Sequence, residues 1–163
     1  MQVKFKDVKQ LKEENDCLKS TFKDLNSRLS IMEQHWRMSN LEIQCVPEHR
    51  AKNIPNIITQ IGNITGTKIC DADIHKCTRI AKINPENART RSIIVKFACP
   101  RVRDTFGVIN FNKRNTNEKI NTSHIGIGGD KKPIFVVEHL TPELKKIHAL
   151  ARATAKKLKY KFV

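Results

Sequence analysis

The sequence is poor in aromatic residues, with seven phenylalanines, one tyrosine and one tryptophan in 163 residues. It contains no CxxC or HxxxH pair and no apolar run approaching the length of a membrane span, so paired zinc ligands and a transmembrane segment are both missing. The opening MQVKFKDVKQLKEEN is too charged for a secretory signal. The five cysteines, Cys17, Cys45, Cys70, Cys77 and Cys99, are odd in number and unpaired in spacing. They fit a reducing cytoplasmic or nuclear setting and not a secreted one. The glycosylation-like matches at Asn63 and Asn121 are then coincidental.

Catalytic signatures are also absent. Asp71, Asp73 and Asp104 belong to no recognised acid–base motif, and Ser123 next to His124 is an adjacency without a third member. Cys70, His75 and Cys77 lie close together but lack metal-ligand spacing, and read as core cysteines beside a surface histidine. GIGGDKKP precedes a proline and not a helix, so it reads as a hairpin and not a nucleotide loop. A non-enzymatic protein without cofactor or metal is the expectation.

Acidic residues are scarce too: 16 against 31 basic ones, a formal charge of +15. Residues 1 to 39 carry 8 basic and 6 acidic groups, whereas 142 to 163 carry 7 and 1. A positive field rising toward the C-terminus points to a polyanionic partner.

Residues 1–38 read as a coiled coil. With Val8 at heptad position a, the a set is Val8, Asn15, Phe22, Leu29 and Trp36, and the d set is Leu11, Leu18, Leu25 and Met32. In a parallel arrangement Asp7 would face Lys12, Glu14 would face Lys19, and Arg28 would face Glu33, all complementary. A single amphipathic helix lying on its own domain fits this narrow seam less well. Asn15 at an a position favours two strands, while Phe22, Leu29 and Trp36 do not.

Residues 40–141 read as a small domain. NLEIQC alternates as a half-buried strand, and Ile54, Ile57, Ile58, Ile61 and Ile64 follow at helical spacing up to Gly66. Strands are expected at 74–80, 91–97 and 134–140, the first two joined through a long hairpin, with a helix carrying Val102, Phe106 and Ile109 before the last. The fold class is therefore α+β: a parallel coiled-coil helix, a β-α-β-β-α-β domain of ferredoxin-like (RRM-like) order, and a basic C-terminal helix with the start of a further strand.

LEIQCVPEHRAKNIPNIITQIG, RSIIVKFACPRVRDTF and IFVVEHLTPELKKIHALARATAKKLKYKFV resemble the baculovirus few-polyhedra (FP) protein family and its insect retroelement-encoded relatives. More distantly, the architecture is similar to the first-open-reading-frame RNA-binding protein of LINE retrotransposons, which implies a trimer. Where relatives read His-Arg-(Val/Ile), this sequence has Thr78-Arg79-Ile80. The resemblance implies that residues 142–163 begin a longer C-terminal domain, truncated here at Val163.

An RRM stacks bases on aromatics of its central strands, but RTRSIIVKF offers only Phe97. Affinity should therefore rest on phosphate contacts and be weakly sequence-selective. The candidates are Arg79, Arg89, Arg91, Lys96, Arg101 and Arg103 in the domain, and Lys131 and Lys132 in the glycine loop. Lys145, Arg152, Lys156 and Lys159 join them on a helix capped by Thr141, Pro142 and Glu143. Arg79 and Arg91 are expected to share an anion. Leu144, Ile147, Ala151, Ala155 and Leu158 are expected to face the protein. Two functions remain open. One is an oligomeric single-stranded nucleic-acid (RNA) binder that packages or chaperones. The other is a coiled-coil interaction protein of few-polyhedra type acting through protein partners.

Overall fold

The computed structural model describes residues 2–48, 53–82, 86, 90–106 and 119–160. Its first element is one helix, α1 (Gln2–Trp36). No proline or glycine interrupts the ladder. The ion pairs Lys9–Glu13 (4.0 Å), Asp16–Lys19 (3.9 Å) and Asp24–Arg28 (3.9 Å) are exposed, and such pairs contribute only about 0.2–0.5 kcal/mol each. The apolar seam itself, Val8, Leu11, Leu18, Phe22, Leu25, Leu29, Met32 and Trp36, is 54–69 % exposed. None of the described residues covers it.

The chain divides into two compact units, Met1–Trp36 with Leu140–Val163, and Arg37–His139. The second is an α+β unit in the element order β1 (Asn40–Gln44), α2 (Ile54–Thr65), β2 (Ile74–Arg79), β3 (Ile93–Phe97), α3 (Pro100–Thr105), β4 (Phe135–Glu138). Its strands form one antiparallel sheet in the order β2-β3-β1-β4. Each strand is shorter than its sequence pattern suggests. β1 stops where Cys45 takes φ 66°, a left-handed conformation that breaks the extended path. Ile109 and most of the 83–89 connection lie outside the described residues.

Alternation along the strands sends Ile43, Ile93, Val95 and Phe97 to one face, where they meet Ile57, Ile58 and Ile61 of α2 in a continuous core. α2 ends at Gly66 (φ 75°), whose N–H bonds back into the last turn, followed by Thr67 N–H to Gly62 O at 2.8 Å. A Cβ at Gly62 would sit 2.8 Å from the carbonyl oxygen of Thr67, so any side chain there would push the turn apart. Phe106, just after α3, packs its ring 5.4 Å from Phe97. The glycine loop closes as the sequence predicts. Thr122 N–H bonds to Lys132 O at 3.0 Å, Asn121 bridges Pro133, and Gly126 and Gly129 take positive φ.

Side chains near the two ends of this unit meet. Arg37 Nη1 lies 3.2 Å from His139 Nε2, and the Asn40 amide lies 3.1 Å from Nδ1. Arginine only donates, so Nε2 accepts and Nδ1 carries the ring proton. A half-turn of the Asn40 amide then gives its oxygen, otherwise buried without a partner, a hydrogen bond to accept.

In the first unit, α4 (Pro142–Lys157) begins as its sequence predicts. Thr141 Oγ1 accepts from Leu144 N–H at 3.3 Å, with Pro142 and Glu143 in the first turn. That turn is tied to α1: Thr141 N–H donates to Gln34 Oε1 (3.0 Å), and Ser30 Oγ donates to Glu143 Oε2 (3.3 Å). Ser30 and Gln34 occupy heptad positions b and f, so α4 docks on the back of α1, away from the seam. The apolar side of α4 departs from expectation. Ala155 is buried and Leu144 half-buried, but Ile147 is 60 % and Leu158 59 % exposed, and Ala151 is also exposed. Its hydrogen bonds to α1 are at the first turn, and beyond it the stripe is exposed except at Ala155. The expected further strand at 161–163 lies outside the described residues.

Candidate nucleic-acid interface

Arg79 ends β2, and its guanidinium is spent on the backbone. Nη1 donates to Val46 O (3.1 Å) and Arg91 O (2.8 Å), and Nη2 to Pro47 O (2.9 Å). Arg91 lies two residues before β3 and clasps Glu48, with Nη2 to Oε2 at 2.7 Å. The Glu48 carboxyl is held down to about 2, chiefly by the Arg91 side-chain hydrogen bonds and the Arg91 N–H, with the charges of Arg91 and Arg79 adding to them. The Arg79 guanidinium is pushed down, first by burial, and then raised by Glu48 and lowered by Arg91. Arg91 grips the chain's own carboxylate and Arg79 acts on it only through its charge, while Arg79's bonds to carbonyls and Arg91's to Glu48 fasten the ends of β1, β2 and β3 together.

The sheet face turned away from α2 is the surface on which an RRM would read bases. Phe97, the expected aromatic, points the other way and is 1 % exposed. On the outer face, pairing sets Lys76 opposite Lys96 and Thr78 opposite Ile94. Glu42 lies between Ile94 and Val137, 3 % exposed, with Gln44 Nε2 donating to its Oε1 at 3.0 Å. Ile94 is likewise only 8 % exposed, so the centre of this face is closed to a ligand, and the opposed lysines Lys76 and Lys96 add positive charge beside it. Phe135 of β4, opposite Gln44, is 44 % exposed on the same face. Sequence reasoning missed Phe135 because IFVVEHL reads as one buried run, and missed Lys76 because single-strand alternation does not reveal its cross-strand neighbour.

The remaining candidates are dispersed. Arg101 is exposed on α3, on the side of the sheet that carries the core, away from Lys96. Arg103 keeps its side chain 17 % exposed and pairs with Asp104. Lys131 and Lys132 are exposed at the loop before β4. Arg89 lies outside the described residues. In the other unit Lys145, Arg152, Lys156 and Lys159 are all exposed, with Lys146 and Lys157 beside them. After Glu143 the helix carries no acidic residue.

Among the described residues no group of three or more His, Cys, Asp or Glu is placed to hold a metal ion. Cys70 Sγ donates to Asp73 Oδ2 at 2.8 Å, His75 is exposed, and Cys77 packs against the core, where burial pushes its thiol up. No helix of the described residues is long and apolar enough to cross a membrane. No protein-family model matches the chain, and no curated protein matches it either.

Proposed function

We propose that the chain is an oligomeric, largely sequence-independent single-stranded nucleic-acid-binding protein. RNA is its expected ligand, and a viral or retroelement packaging and chaperone protein of the few-polyhedra and LINE type is its expected class. The observation that carries this reading is the α4 surface, where exposed basic side chains follow one another over four turns without an acidic residue after Glu143. Like charges at helical spacing repel, and phosphates relieve them. Lys76 and Lys96 stand opposite each other on the sheet and add to the positive field. The antiparallel order β2-β3-β1-β4, with α2 and α3 on one face, supports a ferredoxin-like, RRM-like assignment. The uncovered seam of α1 supports a parallel coil, and docking of α4 on the back of α1 leaves that seam open to a second copy. Several copies on one strand would multiply a weak phosphate grip.

The test is a salt titration of binding to mixed-sequence single-stranded RNA and DNA, followed by anisotropy. Affinity should fall steeply with salt and depend little on sequence. Changing Lys145, Arg152 and Lys156 together to Gln should lower the slope of log affinity against log salt by roughly 2, about 0.7 for each lost phosphate contact. The uncovered apolar seam of α1 equally favours a second reading, a coiled-coil protein that acts through protein partners. No measurable binding at low salt would select it.

A further inference from the structure

Where α4 docks on α1 an open cleft of about 630 Å³ remains, lined by Asn26, Leu29, Ser30 and Glu33 of α1 and by Pro142 and Glu143 of the first turn of α4. In heptad terms this α1 lining runs from position b (Ser30), where α4 is tied, through e (Asn26, Glu33) to a (Leu29). The cleft therefore opens onto the edge of the uncovered seam. Glu33 and Glu143 give it two carboxylates, and none of the residues lining it is basic. Ser30 stands between the two acids. Its hydroxyl donates to Glu143 Oε2 at 3.3 Å, and Glu33 follows it by three residues on the same face of the helix. A hydroxyl is neutral, so this bond leaves the charge of Glu143 uncompensated.

We propose that this cleft receives Arg28 from a second copy of the chain. The proposal rests on the parallel coil put forward above and adds α4 to its interface. In that coil Arg28, at position g of one helix, faces Glu33, at position e of the next. Its methylene stem would cross Leu29, and its guanidinium fork carries enough donors for both carboxylates. Charge complementarity and continuity with the seam select this occupant. α4 closes the cleft on the side away from the seam, so a cation enters from the seam, where the coil delivers one. The chain's own Arg28 lies on the opposite flank of the seam from Glu33 and cannot serve. It is free to cross to a neighbour, because its side chain is 72 % exposed and its pair with Asp24, at 3.9 Å, is loose. Glu143 belongs to α4, so assembly of the coil and docking of α4 reinforce each other. The oligomer thereby holds several basic helices against one coil.

The experiment is a charge swap read by sedimentation equilibrium of the full chain, with circular dichroism to match the folded fraction of each variant. Arg28→Glu should weaken self-association about ten-fold, because every copy in the oligomer repeats the lost contact. Glu143→Lys should weaken it about five-fold by setting a cation against Arg28 of the neighbour. The two changes combined should associate about five-fold more tightly than Arg28→Glu alone, since opposite charges meet again across the cleft. Glu143→Gln, a milder change, should weaken association about two-fold in the wild-type background and leave it unchanged in an Arg28→Gln background. A monomeric wild-type chain removes the coil and this proposal together. An oligomer in which the Glu143 variants associate as wild type does, or in which the combined changes weaken association independently, overturns the proposal and leaves the coil standing.

Discussion

Arg91 holds Glu48 with three donors at once. Its Nε lies 3.2 and 3.1 Å from the two carboxylate oxygens, its Nη2 lies 2.7 Å from Oε2, and its backbone N–H lies 3.0 Å from Oε1. The same residue's carbonyl accepts from Arg79. One carboxylate and two guanidiniums therefore lace the end of β2 to the segments flanking β1 and β3, and charge that looks available in the sequence is engaged within the fold.

Arg79 should consequently behave as a structural residue. Arg79→Ala leaves the oxygens of Val46, Pro47 and Arg91 without their donor and should destabilise the chain by about 2–3 kcal/mol in denaturant melts. At matched folded fraction, affinity for single strands should not change. A variant of wild-type stability that binds weakly would return Arg79 to the ligand.

The Glu48 clasp predicts an acid sensitivity with a definite sign. The carboxyl is lowered on folding, from 4.5 to about 2, so its contribution is complete above the unfolded value and is lost as pH falls from about 4.5 toward 2. Thermal melts across that range should show wild type losing stability. Glu48→Gln should start lower and fall less, with the two curves converging at the acid end. Parallel curves would show that the clasp contributes nothing.

The α1 seam predicts assembly. By light scattering the full chain should be a dimer or trimer, and the chain beginning at Asn40 a monomer. Leu25→Asp, placing a charge in the middle of the seam, should dissociate the oligomer without unfolding the sheet unit. A monomeric full chain would remove the coil.

Phe135 offers a stacking surface that the central strands lack. Phe135→Ala should cost roughly 1–3 kcal/mol in affinity for single strands if a base stacks there, and should leave the salt slope as it was. An unchanged affinity would confine binding to phosphate contacts.

Local signals are legible in the order of residues alone. Thr141-Pro142-Glu143 announces the start of α4, Gly66 the end of α2, and the isoleucines at 54, 57, 58 and 61 the face α2 buries, because caps and periodicities act within a few residues of chain. The heptads of α1 are equally plain, and so is the excess of positive charge. What neighbouring residues do not say is which side chains meet across the fold. Arg91 reaches Glu48 over 43 positions and Arg79 reaches Val46 over 33, contacts that exist only once the strands stand in the order β2-β3-β1-β4. Alternation alone puts Phe97 and Phe135 on strands without saying which faces the core. α2 decides that by covering Phe97 and leaving Phe135 in solvent. The sequence by itself thus determined the elements and the sign of the field, because those depend on neighbours along the chain. Tertiary structure alone decided which charges remain open to a ligand, because burial and pairing depend on neighbours in space.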